Sequence, residues 1–446
     1  MAKPINFTLA PWQHWSKIKP KIVALTSDEG DLTWRELEEC VAQKASNVAW
    51  QKAPFALISE PSNHLEVLIT LLAAWQQGIA TLLLNPSLKP DTIAKILQRT
   101  GIEMLNVNSS AVSTIASHFD LQAPLSLTLT SGSTGTPKAV VHNAAQHLHS
   151  AAGLFELMPF SEQDCWLLSL PLYHISGLAI VWRWLAKGAK LKVANYSGEA
   201  LLSAIEGVSH ASLVPRQLQC ILESKHAFST LHSVLLGGSA INEHLVKQAE
   251  LRGIACYCGY GMTEMASTIS AKRANGSPGV GKALAFRRLM LARDNQILVK
   301  GHTLALGYFV QGKLIPLTHD WFATKDSGIL DKNNELIILG RMDNMFISGG
   351  ENIQPENIEN RLSQFPDAGQ VIILPMKHKK WGKVPVALVE NAINHTQLQA
   401  FAKTQLARFE MPHHVLTIPK NFFESGIKLS RAHLADWLAK MPLDEK

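Results

Sequence analysis

The chain has 446 residues, 46% of them hydrophobic and 17% charged, with a mean hydropathy of +0.04. That length suggests two or three domains, and the balance excludes a disordered or fibrous chain. No apolar run approaches the roughly 18 residues of a membrane span, and MAKPINFTLAPWQHW at the start lacks the apolar core of a secretory signal, so a cytoplasmic location and no membrane partner are expected.

In chain order, TWRELEECVAQKASNVAW (33–50) has helical apolar spacing behind a capping Thr. Residues 65–83 read as a buried helix that ends at Gly78 and runs into a strand. Strands are then expected at 164–170, 190–194, 211–214, 233–236 and 254–258, alternating with helices at 177–187, 199–206, 216–223 and 241–251. That alternation makes βαβ units on a parallel sheet. From about 284 the texture becomes short strands and turns, an antiparallel meander. Beyond Gly340, helices at 355–364, 396–408 and 430–440 with strands at 370–375 and 384–389 form a small α+β unit. A boundary inside GRMDN separates a large α/β N-terminal domain (1–340) from a C-terminal domain (341–446).

The net charge of +6 and pI near 8.9 are mildly basic, but the longest basic run is KHKK at 377–380. A nucleic-acid partner is therefore not expected, and anionic small molecules are. Cys40, Cys165, Cys220, Cys256 and Cys258 match no zinc pattern. Alternation along a strand puts Cys256 and Cys258 on one face, which fits buried, reduced thiols.

Four stretches carry chemistry. LTLTSGSTGTPKAVVHN (127–143) packs hydroxyls and glycines ahead of Lys138. Amides of such a loop converge on phosphate oxygens, because glycine permits the φ values that turn successive N–H groups inward. The alternative is a solvated linker. GSPGVGKA (276–283) has nearly Walker spacing, but Ala283 replaces the metal-binding hydroxyl and no helix is expected after it, so it reads as a turn into the meander.

GYGMTE (259–264) follows a strand at the carboxyl end of a parallel sheet, where such sheets place ligands. Tyr260 could stack on a purine, Thr263 reach a phosphate and Glu264 ligate Mg²⁺; a glycine turn with a capping Thr-Glu pair is the alternative. TKDSG (324–328) and GRMD (340–343) offer an aspartate for ribose hydroxyls and an arginine for a phosphate, against a β-turn aspartate and a linker ion pair.

These stretches, with PLYHISG (171–177), LLGGSA (235–240), GRMDNMFISGGENIQPENIE (340–359) and SGIKLS (425–430), resemble the adenylate-forming superfamily of acyl- and aryl-CoA ligases, luciferases and peptide-synthetase adenylation domains. The resemblance spans about 30 to 440. It implies ATP, Mg²⁺ and coenzyme A: a carboxylate and ATP give an acyl-adenylate and pyrophosphate, and a thiol then displaces AMP. It further implies that Thr130, Ser131, Gly132, Ser133, Thr134, Gly135 and Lys138 grip the β,γ-phosphates, and that Gly238, Ser239, Ala240, Tyr260 and Gly261 line the adenine. Thr263 would touch the α-phosphate, Glu264 hold the metal, Asp326 take the ribose, and Arg341 meet a phosphate.

His174 lies in the family's aromatic-His segment and counts with Thr263, Glu264 and Lys428 as catalytic. Lys428 would bridge carboxylate and phosphate during adenylation. The family pattern has Gly followed directly by Lys, whereas Gly426-Ile427-Lys428 is one residue longer, which leaves Lys420 as a fallback. Asp343 would be the hinge, and Gly349 and Gly350 would line the thiol channel.

For the acid, Tyr173 is followed by His174 rather than the aspartate that anchors an amino group, so amino acids are disfavoured. Arg183 interrupts an apolar helix, and a buried arginine needs an anion, either an internal carboxylate or one on the substrate. PLYHISG, WRWL, SLVPRQL, LLGGSA, SGGENIQP and GIKLS are most similar to the family's 2-succinylbenzoate–CoA ligases of menaquinone biosynthesis, which implies a dicarboxylic aromatic acid read by Arg183 beside Ser176 and Gly177. Arg216 is the second arginine to consider. A benzoate-type ligase and a nucleotide-binding protein without catalysis are the other readings. A homo-oligomer is compatible with the sequence.

Overall fold

The computed structural model describes all residues except 1, 49, 51–52, 60–63, 106–118, 131–136, 196–199, 225–227, 239–240, 318–319, 367, 424–428 and 442–446. Ser131, Gly132, Ser133, Thr134, Gly135, Ser239, Ala240 and Lys428 therefore lie outside the described residues.

The expected βαβ alternation is present. Six parallel strands, Ala255–Met262, Ser233–Leu236, His210–Leu213, Cys165–Leu167, Lys190–Lys192 and Val23–Ser27, lie side by side in a nine-stranded sheet with antiparallel strands at its edges. Thr33 caps the helix Trp34–Asn47 through a reciprocal pair with Glu36. The helix His64–Gln76 feeds the strand Thr81–Leu84 in a second, seven-stranded sheet.

The meander differs in one respect. Arg287–Leu291, Gln296–Gly301, Phe322–Leu330 and Leu336–Arg341 form a four-stranded antiparallel sheet. The hairpin Gly307–Val310 and Lys313–Pro316 leaves it to pair with Lys138–Asn143 in the seven-stranded sheet. GSPGVGKA connects the antiparallel strands Ser267–Arg273 and Lys282–Ala283 and opens no helix, as a P-loop would have to.

The helix Ile175–Lys187 is the central pillar. A helix turns ~100° per residue, so Trp182, Arg183 and Trp184 fan out over most of its perimeter. Trp182 stacks on Trp75 at 5.3 Å, and Trp184 stacks on Trp34 at 5.2 Å. A helix that is apolar all round belongs in the interior, and all three of these residues are buried. The cost of that position falls on Arg183.

Residues past 345 make their own cores around Ile358, Leu362, Ile373 and Val389 and around Leu374, Val386 and Leu434. Among the described residues their sheets, Phe346–Ser348 with Glu351–Ile353, and Val371–His378, Gly382–Val389 and His414–Thr417, include no strand from before that point. All five cysteines are free thiols, and Cys165, Cys256 and Cys258 are buried.

Candidate active site

The glycine turn offered as the alternative reading of GYGMTE is not what forms: residues 259–262 continue the strand, and Thr263 and Glu264 enter a 3₁₀ turn. Ala255–Met262 pairs in parallel with Ser233–Leu236 only as far as Cys258, then runs on through the motif as an antiparallel arm against Ser267–Arg273. Gly261 is required by that arm: a Cβ there would lie 2.1 Å from the Ser267 carbonyl oxygen. The extension carries Tyr260 out beyond the sheet, where its hydroxyl donates to Asp326 Oδ2 at 2.6 Å. Arg341 stands directly across the strand pair from Asp326, with Nε 3.5 Å from Oδ1.

The Asp326 amide donates to Thr324 Oγ1 at 3.0 Å, so the strand end itself orients the carboxylate. Burial raises the pKa of Asp326, with Tyr260 and Arg341 opposing that shift. Arg341 also reaches Asp343 at 3.6 Å, in the single 3₁₀ turn Met342–Asn344. Three predicted residues, Tyr260, Asp326 and Arg341, thus meet in one polar corner.

A second corner lies at Thr263–Met265, also one 3₁₀ turn. Ala266 (φ +50°) and Ser267 (φ +93°) follow in the left-handed region, a costly conformation for two consecutive non-glycine residues. A buried brace holds it. Ser150 Oγ donates to the Ala266 carbonyl at 2.5 Å, and Arg287 Nη2 donates to Ser150 Oγ at 2.8 Å.

Glu264 is 8% exposed; it accepts from the Tyr308 hydroxyl at 3.2 Å, and its pKa is raised by burial. The Lys138 ammonium lies 5.1 Å from the Tyr308 ring centroid. Lys138 is paired with Thr130 across the hairpin that carries residues 131–136. This corner therefore joins a buried carboxylate and a lysine at the end of the predicted phosphate loop, a donor set that fits a hard divalent cation and phosphate oxygens.

The third group surrounds Arg183. Its Nη1 donates to Ser212 Oγ at 3.0 Å, its guanidinium lies 5.0 Å from the Trp166 ring centroid, and its Nε has no partner among the described residues. Burial lowers its pKa to about 9. Arg287 is equally enclosed, and its pKa is lowered to about 9 by burial and then by the charge of Arg183. Among the described residues no carboxylate forms an ion pair with either guanidinium. Two neighbouring buried cations without an anion are unfavourable.

Other predicted positions have different surroundings. Arg216 is exposed, 3.4 Å from Glu390 and 4.6 Å from the Phe423 ring centroid, so it faces the C-terminal region rather than the Arg183 pocket. Gly177 admits Pro171: a Cβ there would lie 2.1 Å from that carbonyl oxygen, so its lack of a side chain serves packing at the helix start. His174 is the exposed N-cap of the same helix, with Ser176 half-buried beside it. Gly238 has φ +91° just past the strand Ser233–Leu236.

Gly349 (φ +57°) and Gly350 (φ +95°) form the two-residue turn between Phe346–Ser348 and Glu351–Ile353, where a hairpin of this kind demands positive φ. Lys420 is exposed in a 3₁₀ turn. Arg431, three residues beyond Lys428, is anchored by Glu359 Oε2 at 2.6 Å and the Ile373 carbonyl at 2.9 Å.

The sequence reading missed Arg287, Ser150 and Tyr308. Arg287 and Tyr308 sit in strand-like runs and Ser150 in an apolar helix, and their partners are too distant in sequence for any local pattern to reveal.

A family model described as AMP-binding enzyme matches residues 108–309. The 2-succinylbenzoate–CoA ligase of Haemophilus influenzae is 41% identical over 455 residues, covering 96% of this chain and 98% of that protein. The one from Salmonella typhimurium is 39% identical, covering 98% and 99%. An Escherichia coli MenE variant with bound OSB-AMS superposes with a TM-score of 0.87 at 36% identity over 97% of this chain and 99% of that one. The Bacillus subtilis o-succinylbenzoate CoA synthetase in complex with ATP and magnesium ion, 23% identical with a TM-score of 0.79 over 92% and 95%, shares the fold.

Proposed function

This chain belongs to the 2-succinylbenzoate–CoA ligase family of AMP-binding enzymes, and from that premise we propose that it adenylates 2-succinylbenzoate with ATP and passes the acyl group to coenzyme A. The observation that supports this acid is Arg183: a buried guanidinium with no carboxylate partner among the described residues calls for an anion from outside. The substrate's second carboxylate, the one not activated, supplies it through charge-assisted hydrogen bonds.

In the first half-reaction the acid's other carboxylate attacks the α-phosphorus of ATP in line, and pyrophosphate leaves. Little covalent chemistry falls to the protein; its work is positioning and charge neutralisation. Asp326, held by Tyr260, takes the ribose hydroxyls, and Arg341 lies beside it to meet the α-phosphate charge. Lys138, with the loop from Thr130, grips the leaving pyrophosphate. Glu264 would hold Mg²⁺, which neutralises phosphate charge when bound, and Thr263 beside it would touch the α-phosphate. His174, at the mouth of the pillar helix, would serve the acid side.

Lys428 delivers the positive charge that draws carboxylate and α-phosphate together. Residues 341–446 then turn about Asp343, so that the Gly349–Gly350 hairpin replaces the lysine at the adenylate and admits the thiol of coenzyme A.

ATP–pyrophosphate exchange across a panel of carboxylic acids tests the assignment. Exchange driven by 2-succinylbenzoate, with little from benzoate, is the expected result. Equal exchange with benzoate would overturn the dicarboxylate reading.

A further inference from the structure

Asp164, His210 and His232 stand at the amino ends of three adjacent strands, Cys165–Leu167, His210–Leu213 and Ser233–Leu236. That edge is opposite the one where Ala255–Met262 runs on into the candidate active site. One donor atom from each residue lies within 4.8 Å of the other two. Asp164 Oδ1 is 3.7 Å from His210 Nδ1 and 3.7 Å from His232 Nε2, too far for hydrogen bonds. Tetrahedral coordination at zinc distances would bring such donors to about 3.3 Å apart, closer than the 3.7 Å of the two Asp164 contacts.

The atoms behind the three donors are already committed. A carbonyl only accepts, so the 2.8 Å contact from His210 Nε2 to the Pro159 oxygen puts the ring proton on Nε2 and leaves a lone pair on Nδ1. Ser209 Oγ, 2.8 Å from that Nδ1, has the Cys165 carbonyl at 3.1 Å as another acceptor and can turn its proton there. Asp164 Oδ2 accepts from the Ser161 amide and hydroxyl, both at 2.8 Å, while Oδ1 is turned to the two imidazoles. His232 Nδ1 lies 3.2 Å from Ser233 Oγ, so Nε2 is the nitrogen turned to the cluster.

Phe160 and Trp166 pack edge-on and tilted against the His210 ring and hold its orientation. The His210 side chain is fully buried, whereas His232 is 56% exposed, which provides an entry path. The Pro159 carbonyl fixes the tautomer of His210 and Ser161 fixes the aim of Asp164, the kind of outer support that metal ligands carry.

We propose that Asp164, His210 and His232 bind one divalent transition-metal ion of the zinc class, at the end of the sheet away from the active site. Two imidazoles and a carboxylate suit zinc, with water as the fourth ligand. The ion would tie the 159–164 segment to the two central strands and stabilise the folded chain by mass action.

The test uses the full chain after chelator treatment, titrated with Zn²⁺ by calorimetry and with Co²⁺ by visible absorption. One ion per chain, tetrahedral Co²⁺ bands and a melting temperature raised by Zn²⁺ are expected. His232→Ala, at an exposed position, should weaken Zn²⁺ binding at least about tenfold, as should Asp164→Asn. Unchanged melting of the metal-free His232→Ala chain would separate ligand loss from misfolding. Glu264→Gln should leave Zn²⁺ binding intact. No stoichiometric binding, equal affinity in His232→Ala, or loss only in Glu264→Gln would each overturn the site.

Discussion

Arg341 is the cross-strand partner of Asp326, and the two groups approach to 3.5 Å while Tyr260, 66 residues upstream of Asp326, holds the other carboxylate oxygen at 2.6 Å. A buried carboxylate shared between a phenol and a guanidinium is oriented before any ligand arrives. Pre-paid positioning of this kind is what an in-line phosphoryl reaction needs.

Asp326→Ala should therefore raise KM for ATP in pyrophosphate exchange about 10- to 100-fold. Tyr260→Phe, which removes one hydrogen bond of about 1 kcal/mol to the same oxygen, should cost about fivefold. An unaltered KM for ATP in both variants would remove Asp326 from the nucleotide site.

Arg183→Ala should raise KM for 2-succinylbenzoate at least about tenfold, the loss of a charge-assisted hydrogen bond of about 1.5–3 kcal/mol, with KM for ATP within about twofold. Steady-state kinetics with each substrate varied in turn makes the comparison. A parallel rise in both constants would point to a general defect in packing around the pillar helix.

Ser150 never touches substrate in this scheme and acts as a positioning residue, through the Ala266 carbonyl that it holds. Ser150→Ala should loosen the turn that presents Glu264 and raise the Mg²⁺ concentration for half-maximal adenylation several-fold, with KM for the acid unchanged. Because burial raises the pKa of Glu264, the acid limb of Mg²⁺-dependent activity should fall at a higher pH than for an exposed glutamate. Glu264→Gln should abolish that limb together with most activity.

Lys428→Ala should reduce pyrophosphate release more than about 100-fold, yet leave thioester formation from supplied acyl-adenylate near the wild-type rate. Single-turnover assays of the separate half-reactions measure this. Normal adenylation by the variant would shift the role to Lys420.

His142 and His147 are fully buried, and burial lowers the pKa of His142 to about 3 and that of His147 well below the ordinary value of 6.5. Their folded-state pKa values lie below the unfolded ones, so below about pH 6.5 the unfolded chain binds more protons. Stability is then full above that pH and falls as the pH drops toward the folded values, by about 1.4 kcal/mol per pH unit for each histidine. Urea titrations from pH 7 to 5 should show the decline, and His147→Gln should flatten it.

The βαβ alternation, the helix behind Thr33, the family and its reaction were all legible in local patterns, because each depends on residues within one or two turns or strands of each other. The path of 307–316 was not. That hairpin, embedded in a run of meander texture, pairs with Lys138–Asn143 in a different sheet, and nothing near it in sequence says so. The same hairpin brings Tyr308 to Glu264.

The sequence alone determined which chemical groups are present and in what order: a loop rich in hydroxyls and glycines ahead of Lys138, then an arginine inside an apolar helix, Glu264 and Asp326. Tertiary structure decided which of them meet and which are left without a counter-charge. Arg183 and Arg216 are both single arginines in apolar surroundings along the chain, yet one is enclosed with no carboxylate partner among the described residues and the other reaches Glu390 at the surface. The energy of a charge depends on the solvent and partners around it, and those are assembled from segments that are separate in the chain.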